Sequence, residues 1–141
     1  MTISDLLAEL EKANPDFVPF EPYVCGMTKA DVPFEHPDPC LKAAIHVYFG
    51  DLDGAHDQLQ ALEGNPEASY LHGIIHRREG DFWNANYWFQ QGKSVSRAMG
   101  IDAETLTQRV ESSREVDPQL AADVFNEWKS LVEVGLRRLG S

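Results

Sequence analysis

The sequence predicts an all-α fold, and three observations support this prediction. Apolar side chains recur every three or four residues over 118–139, two segments of 17 residues align with each other, and glycines and an Asp-Pro pair stand where helices would end and begin. The chain has 141 residues, of which 43% are hydrophobic. That length and composition suit one helical domain, 1–141, with a single core.

Residues 1–36 are predicted to form an N-terminal helix followed by a proline-rich arm. Thr2 or Ser4 can cap the helix, whose leucines form one apolar stripe, and Pro15 lies beyond its end. Six of the eight prolines fall between Pro15 and Pro39, which predicts an extended segment rather than a helix. The many apolar residues of this arm indicate that it wraps over the helices.

The central part of the chain contains an internal repeat, because residues 44–60 and 74–90 align with a shift of thirty positions. The aligned pairs are His46 with His76, Gly50 with Gly80, Asp51 with Asp81, Ala55 with Ala85, Leu59 with Phe89 and Gln60 with Gln90. Such a glycine can end a helix in the left-handed conformation, the Asp can cap the next helix, and the alanine allows close helix approach. The repeat therefore predicts two helical hairpins within residues 37–92.

These small and aromatic positions resemble the signature positions of the tetratricopeptide repeat. The matching residues are Gly73, Gly80, Ala85 and Phe89 in the second copy and Ala43, Gly50, Ala55 and Leu59 in the first. The resemblance implies stacked helical hairpins that bind a protein or peptide. It also places Tyr70, Ile74, Arg77 and Arg78 near the positions that line the concave groove of such repeats.

The C-terminal part, 101–139, is predicted to contain two helices that follow a loop after Gly92. Asp102 can cap the first helix, and the Asp117-Pro118 pair marks the start of the second. The second helix is long and amphipathic, so we expect it to cover the end of the hairpin stack. The same apolar face could instead serve a homodimer.

The charge balance restricts the classes of partner. The net charge is −11, which disfavours nucleic acid and anionic membrane surfaces. No apolar run has the length of a membrane span, and the N-terminus lacks the basic region of a signal peptide, so we expect a cytoplasmic protein. Cys25 and Cys40 are expected to be reduced thiols in that setting.

One segment of this acidic chain, residues 70–100, carries a net positive charge. Residues 70–100 hold four bases, Arg77, Arg78, Lys93 and Arg97, against two acids, whereas both flanking regions are net negative. The planar guanidinium group of arginine can bind a carboxylate through two parallel hydrogen bonds, and Tyr70 adds a rigid aromatic surface beside it. An acidic peptide or small anion is therefore expected beside Arg77 and Arg78. The alternative is that both arginines only form ion pairs with neighbouring acids.

A histidine pair gives a second candidate site. His72, His76 and Glu79 stand at positions i, i+4 and i+7 and so share one helix face, with His46 as a further potential ligand. Two or three imidazoles and a carboxylate can hold one divalent transition metal. The alternative is that these histidines are structural and hydrogen-bonded within the hairpins.

No motif of a familiar catalytic class is present: the chain lacks a Gly-x-Ser-x-Gly elbow, a phosphate-binding glycine loop and a calcium loop. We therefore expect a non-enzymatic interaction module without a cofactor. A small metal-dependent enzyme or metal-binding protein is the alternative. The aromatic residues of 82–89 are expected in the core, and exposure of Trp83 or Tyr87 would create a binding surface.

Overall fold

A computed structural model describes residues 1–13, 32, 35–113 and 117–140, and this part of the chain is all-α. Within it, a 3-10 turn (Gln60–Leu62) accompanies eight helices, which are α1 (Ile3–Ala13), α2 (Pro39–Tyr48), α3 (Leu52–Leu59), α4 (Pro66–Arg78), α5 (Phe82–Gln91), α6 (Lys93–Met99), α7 (Ala103–Ser112) and α8 (Pro118–Arg138). Most of the predicted proline-rich arm, including Cys25, lies outside the described residues. None of the described helices combines the length and hydropathy needed to span a bilayer.

The region of the two predicted hairpins contains the helix pairs α2–α3 and α4–α5, an arrangement compatible with the prediction. Gly50 and Gly80 adopt the left-handed conformation, with φ of 81° and 82°, so each can end its helix without a steric penalty on a Cβ. Asp51 and Asp81 then cap α3 and α5 by accepting backbone N–H groups three residues on. The chain reverses direction at both Gly-Asp pairs because one residue ends a helix and the next begins another.

Three helices begin with the same cap. Asp38, Asn65 and Asp117 each accept a backbone N–H from the first turn of the helix that follows, and a proline occupies the first helical position. Proline suits that position because its missing N–H would have no partner inside the helix. The starts of α2, α4 and α8 are therefore set by local sequence.

The loop predicted after Gly92 is wrong, since residues 93–99 form α6. A Cβ at Gly92 would lie 2.9 Å from the Tyr70 backbone nitrogen, so glycine allows the α5–α6 junction to pack directly on α4. Val95 is the one buried side chain of α6. Because so short a helix depends on tertiary packing rather than on its own periodicity, the sequence pattern did not reveal it.

Helix α8 packs against α2, and its apolar face is buried within this chain. The indole nitrogen of Trp128 donates a 2.8 Å hydrogen bond to the Ala44 carbonyl of α2. At its C-terminal end Arg138 contacts Asp38 at 2.9 Å and Glu67 at 2.6 Å, joining α8 to the starts of α2 and α4. Helix α8 is thus tied to the first helix of each hairpin.

A close contact between Gly73 and Phe89 makes the second hairpin testable. A Cβ at Gly73 would penetrate the Phe89 ring, whereas the first hairpin has Ala43 and Leu59 at the equivalent positions. We expect Gly73→Ala to lower the free energy of unfolding by about 1–3 kcal/mol through overpacking.

In a Phe89→Leu background, which copies the first hairpin, the same Gly73→Ala change should be neutral or stabilising, because alanine favours helix over glycine by about 1 kcal/mol. Urea unfolding of the four proteins measures this coupling. Equal effects of Gly73→Ala in both backgrounds would contradict the contact.

Candidate functional site

Helix α4 carries polar side chains on two faces, and the first face is internal. Arg77 and Glu127 form an ion pair at 2% and 0% exposure, linking α4 to α8. The Tyr70 hydroxyl donates a 2.6 Å hydrogen bond to Glu127 Oε2, and Arg77 Nη1 donates to the same oxygen at 3.2 Å. Thr107 of α7 also accepts from Arg77 Nη1, at 3.5 Å. These groups satisfy one another inside the core.

The structure therefore corrects the predicted ligand groove. Tyr70, Ile74, Arg77 and Arg78 are all buried rather than exposed on a concave surface. Arg78 Nη1 donates a 3.0 Å hydrogen bond to the Val47 carbonyl of α2. Both arginines are held in the interior because buried acceptors are available to them there, so these four residues offer no open wall to a peptide.

The second polar face of α4 carries a histidine cluster. His72 and His76 meet His56 of α3, and one potential ligand atom from each lies within 4.8 Å of the others. The His72 ring stacks on Trp88 of α5, with centroids 4.2 Å apart and planes inclined by 16°. The His56 and His72 rings meet edge to face at 5.0 Å. Helices α3, α4 and α5 thus bring three imidazoles together against an indole.

The other predicted metal ligands occupy different places. Glu79 lies beside His76, with Oε2 3.2 Å from His76 Nδ1. His46 stands apart from the cluster, and its ring nitrogens face Asp51 at 2.8 Å and Glu35 at 3.3 Å. The structure therefore brings together His72, His76 and Glu79 but replaces His46 with His56.

His56 was missed by sequence reasoning because it does not share a repeat position with another histidine. The signal that could have revealed it is topological. Helix α3 packs against α4 as well as against α2, so side chains of α3 can meet side chains of α4. A histidine near the centre of each helix is then expected to be a neighbour of the others.

The surroundings of His72 favour its neutral form. Burial lowers the pKa of His72, the nearby His56 and His76 act in the same direction, and a hydrogen bond to the Leu59 backbone opposes them, so that the pKa is about 4. His72 Nδ1 is buried and has no hydrogen-bond partner in the part of the chain that the structure describes. At neutral pH this ring therefore keeps a lone pair that can bind a metal.

Cys40 offers no reactive group. Its side chain is buried, and burial raises the pKa of its thiol to about 12, with the charges of Glu67 and Asp38 acting in the same direction. The thiolate is the nucleophilic form, so Cys40 stays inert at neutral pH.

An aromatic pair on α5 forms an exposed surface. Trp83 is 78% exposed and Tyr87 is 50% exposed, and their rings are parallel within 8° at a centroid distance of 6.5 Å. The adjoining surface is a cleft of about 480 Å³ along α5, α6 and the start of α7, whose charged lining residues are Lys93, Arg97, Asp102 and Glu104. The core prediction for the aromatic segment is thus wrong for these two rings, while Phe89 is buried as predicted.

No protein family, curated protein or solved structure matches this chain. The resemblance to tetratricopeptide repeats remains an expectation from the sequence, and the site must be interpreted from its own chemistry.

The lowered pKa of His72 predicts a pH dependence of stability. The pKa of His72 is near 4 in the folded state and 6.5 in the unfolded state. Above pH 6.5 the ring is neutral in both states and the stability is fully present. As the pH falls from 6.5 towards 4, the unfolded state binds the proton first, so the folded state loses stability. The loss is about 3 kcal/mol at most.

His72→Phe keeps a ring against Trp88 but cannot titrate. In metal-free buffer, the difference in unfolding free energy between parent and variant should change between pH 6.5 and 4 and stay constant above pH 7. Parallel pH profiles of the two proteins across that window would contradict a neutral, buried His72.

Proposed function

We propose that the chain is a non-enzymatic, tetratricopeptide-like helical module that binds an acidic peptide segment of a partner protein. The proposed binding face is the outer face of α5 and α6, from Trp83 through Tyr87 to Lys93 and Arg97. The observation that carries the proposal is the exposure of the stacked Trp83–Tyr87 pair beside a cleft that Lys93 and Arg97 line.

The aromatic pair supplies the apolar part of this face. Trp83 and Tyr87 are separated by one helical turn, and each already orders the other by stacking. Tryptophan and tyrosine are the residues that contribute most binding energy at protein interfaces, because they bury large areas with few rotatable bonds. A leucine or aromatic side chain of a peptide can pack against this preformed surface.

The charges beside the pair favour an acidic ligand. Residues 82–101 form the longest acid-free stretch of the sequence and contain Lys93 and Arg97. Both side chains are exposed, and neither forms an ion pair with any residue that the structure describes. They can therefore bind peptide carboxylates without first breaking an internal contact.

Two acids on the opposite wall of the cleft do not remove this preference. Asp102 caps α7 by accepting from the Thr105 backbone and hydroxyl, so its charge faces a helix N-terminus. Glu104 lies in the same first turn. The net charge of −11 comes from charges spread over the whole chain. Those that lie more than about 8 Å from the cleft act weakly on a ligand there, because salt screens exposed charges beyond that distance at physiological ionic strength.

The experiment is selection of a displayed random peptide library on the full chain, followed by affinity measurement of the enriched peptides. We expect the enriched sequences to combine Asp or Glu with one or two apolar residues. Trp83→Ala/Tyr87→Ala should weaken their binding at least tenfold, because removal of an interface anchor costs about 2 kcal/mol or more.

A charge-reversal pair separates the cationic contribution from net charge. Lys93→Glu/Arg97→Glu should weaken binding and reduce its salt dependence, whereas Lys12→Glu/Arg137→Glu changes the net charge equally at two other exposed positions and should leave affinity unchanged. The absence of enriched peptides, or equal affinities for all these proteins, would contradict the proposed function.

A further inference from the structure

The histidine cluster is a built site that peptide binding on α5 and α6 does not use. His56, His72 and His76 come from two helices, and a carboxylate and an indole stand directly behind two of the rings. We propose that these three imidazoles bind one divalent transition metal ion, with Glu79 as the residue that positions His76. This site corresponds to the metal-binding alternative suggested by the sequence, with His56 in place of His46.

The spacing of the three rings is close to what a metal requires. A tetrahedral ion with metal–nitrogen bonds of about 2.0 Å holds its ligand nitrogens about 3.3 Å apart. The three ligand atoms already lie within 4.8 Å of one another, and His56 and His76 are partly exposed. Small side-chain rotations of these two residues therefore suffice to close the site, without a change in the helices.

His72 is the fixed member of the set. Its side chain is 7% exposed, its Nδ1 lacks a hydrogen-bond partner among the described residues, and stacking on Trp88 restricts the ring. A buried ring nitrogen without a partner costs free energy that a metal–nitrogen bond would recover. The unsatisfied atom therefore points to a ligand rather than to a purely structural role.

Glu79 gives His76 the arrangement common in metal sites. Histidine ligands generally direct their second ring nitrogen to a carboxylate or carbonyl, which fixes the ring and makes the ligating nitrogen more basic. Glu79 Oε2 lies 3.2 Å from His76 Nδ1, within ion-pair distance but outside hydrogen-bond alignment, and a small rotation of the His76 ring would align the two atoms and leave Nε2 for the metal. The sequence suggested Glu79 as a ligand, and the geometry instead makes it this outer partner.

The donor set selects the class of ion. Three imidazole ligands suit zinc, cobalt, nickel or copper, whereas magnesium and calcium require oxygen ligands. Three protein ligands also leave a fourth position for water or a small anion. The inference is independent of the peptide-binding face, because the two sites share no residue.

The experiment is a titration of the untagged full chain, freed of metal by a chelator, with Co²⁺. We expect one equivalent to give saturable visible absorption of a tetrahedral complex and to quench Trp88 fluorescence, with Zn²⁺ displacing it. Trp88→Phe should keep the affinity and remove most of the quenching, since Trp88 is the indole that stacks on His72.

Substitutions of His56 and Glu79 test the ligand assignment, with circular dichroism as the check on folding. His56→Asn should weaken Co²⁺ binding at least tenfold, and Glu79→Gln should weaken it about tenfold through loss of the outer partner. His46→Asn is the matched control, because His46 occupies the repeat position of His76 but lies outside the cluster. The Co²⁺ affinity of this variant should equal that of the parent.

Three results would overturn the proposal. The first is the absence of saturable binding of Co²⁺ or Zn²⁺ by the folded parent. The second is a His56→Asn variant that binds Co²⁺ as tightly as the parent. The third is a His46→Asn variant that loses as much affinity as His56→Asn.

Discussion

The buried ion pair between Arg77 and Glu127 is the constraint on which the rest of the structure depends. Removing both charges from water costs several kcal/mol for each, so the pair is tolerated only when its geometry is good and its remaining hydrogen bonds are satisfied. Tyr70 and Thr107 supply those bonds from α4 and α7. Helix α8 must therefore dock in the register that places Glu127 opposite Arg77, because a shift of one residue would leave an unpaired charge in the core.

This constraint separates the two faces of α4. Its inner face carries Tyr70 and Arg77 towards α8, and the side facing α3 and α5 carries His72 and His76. Because Arg77 and Arg78 are buried, Lys93 and Arg97 of α6 are the basic side chains of residues 70–100 that are exposed in the described part of the chain. The inner face of α4 thus contributes to stability, while its other polar face and the surface of α6 carry the candidate binding groups.

The two candidate sites are neighbours through aromatic contacts. Trp88 stacks on His72 at 4.2 Å and meets Tyr87 edge to face at 5.3 Å, and Tyr87 stacks on Trp83. The sequence predicted that the aromatic side chains of residues 82–89 lie together in the core. In the structure Trp88 packs against His72, whereas Trp83 and Tyr87 are exposed. One short helix, α5, therefore connects the cluster with the outer face.

Much of the fold could be predicted from local sequence, and much of the site could not. The Gly-Asp pairs and the Asp117-Pro118 start act through bonds within a few residues, so they can be identified without knowledge of the fold. The burial of Arg77 depends on Glu127, 50 residues away, and no local pattern contains that partner. The same applies to His56, which joins the cluster only because α3 packs on α4. Helix α6 was missed because its stability comes from packing of the glycine junction on α4.

The most direct test of the central constraint is a double-mutant cycle on the buried pair, using Arg77→Met, Glu127→Leu and the combined variant in urea unfolding. Each single variant leaves one buried charge unpaired and should lower the free energy of unfolding by about 3–5 kcal/mol. The combined variant should lose less than either single variant, because both charges are gone. Losses that add across the cycle, or single variants as stable as the parent, would contradict a fold organised around this pair.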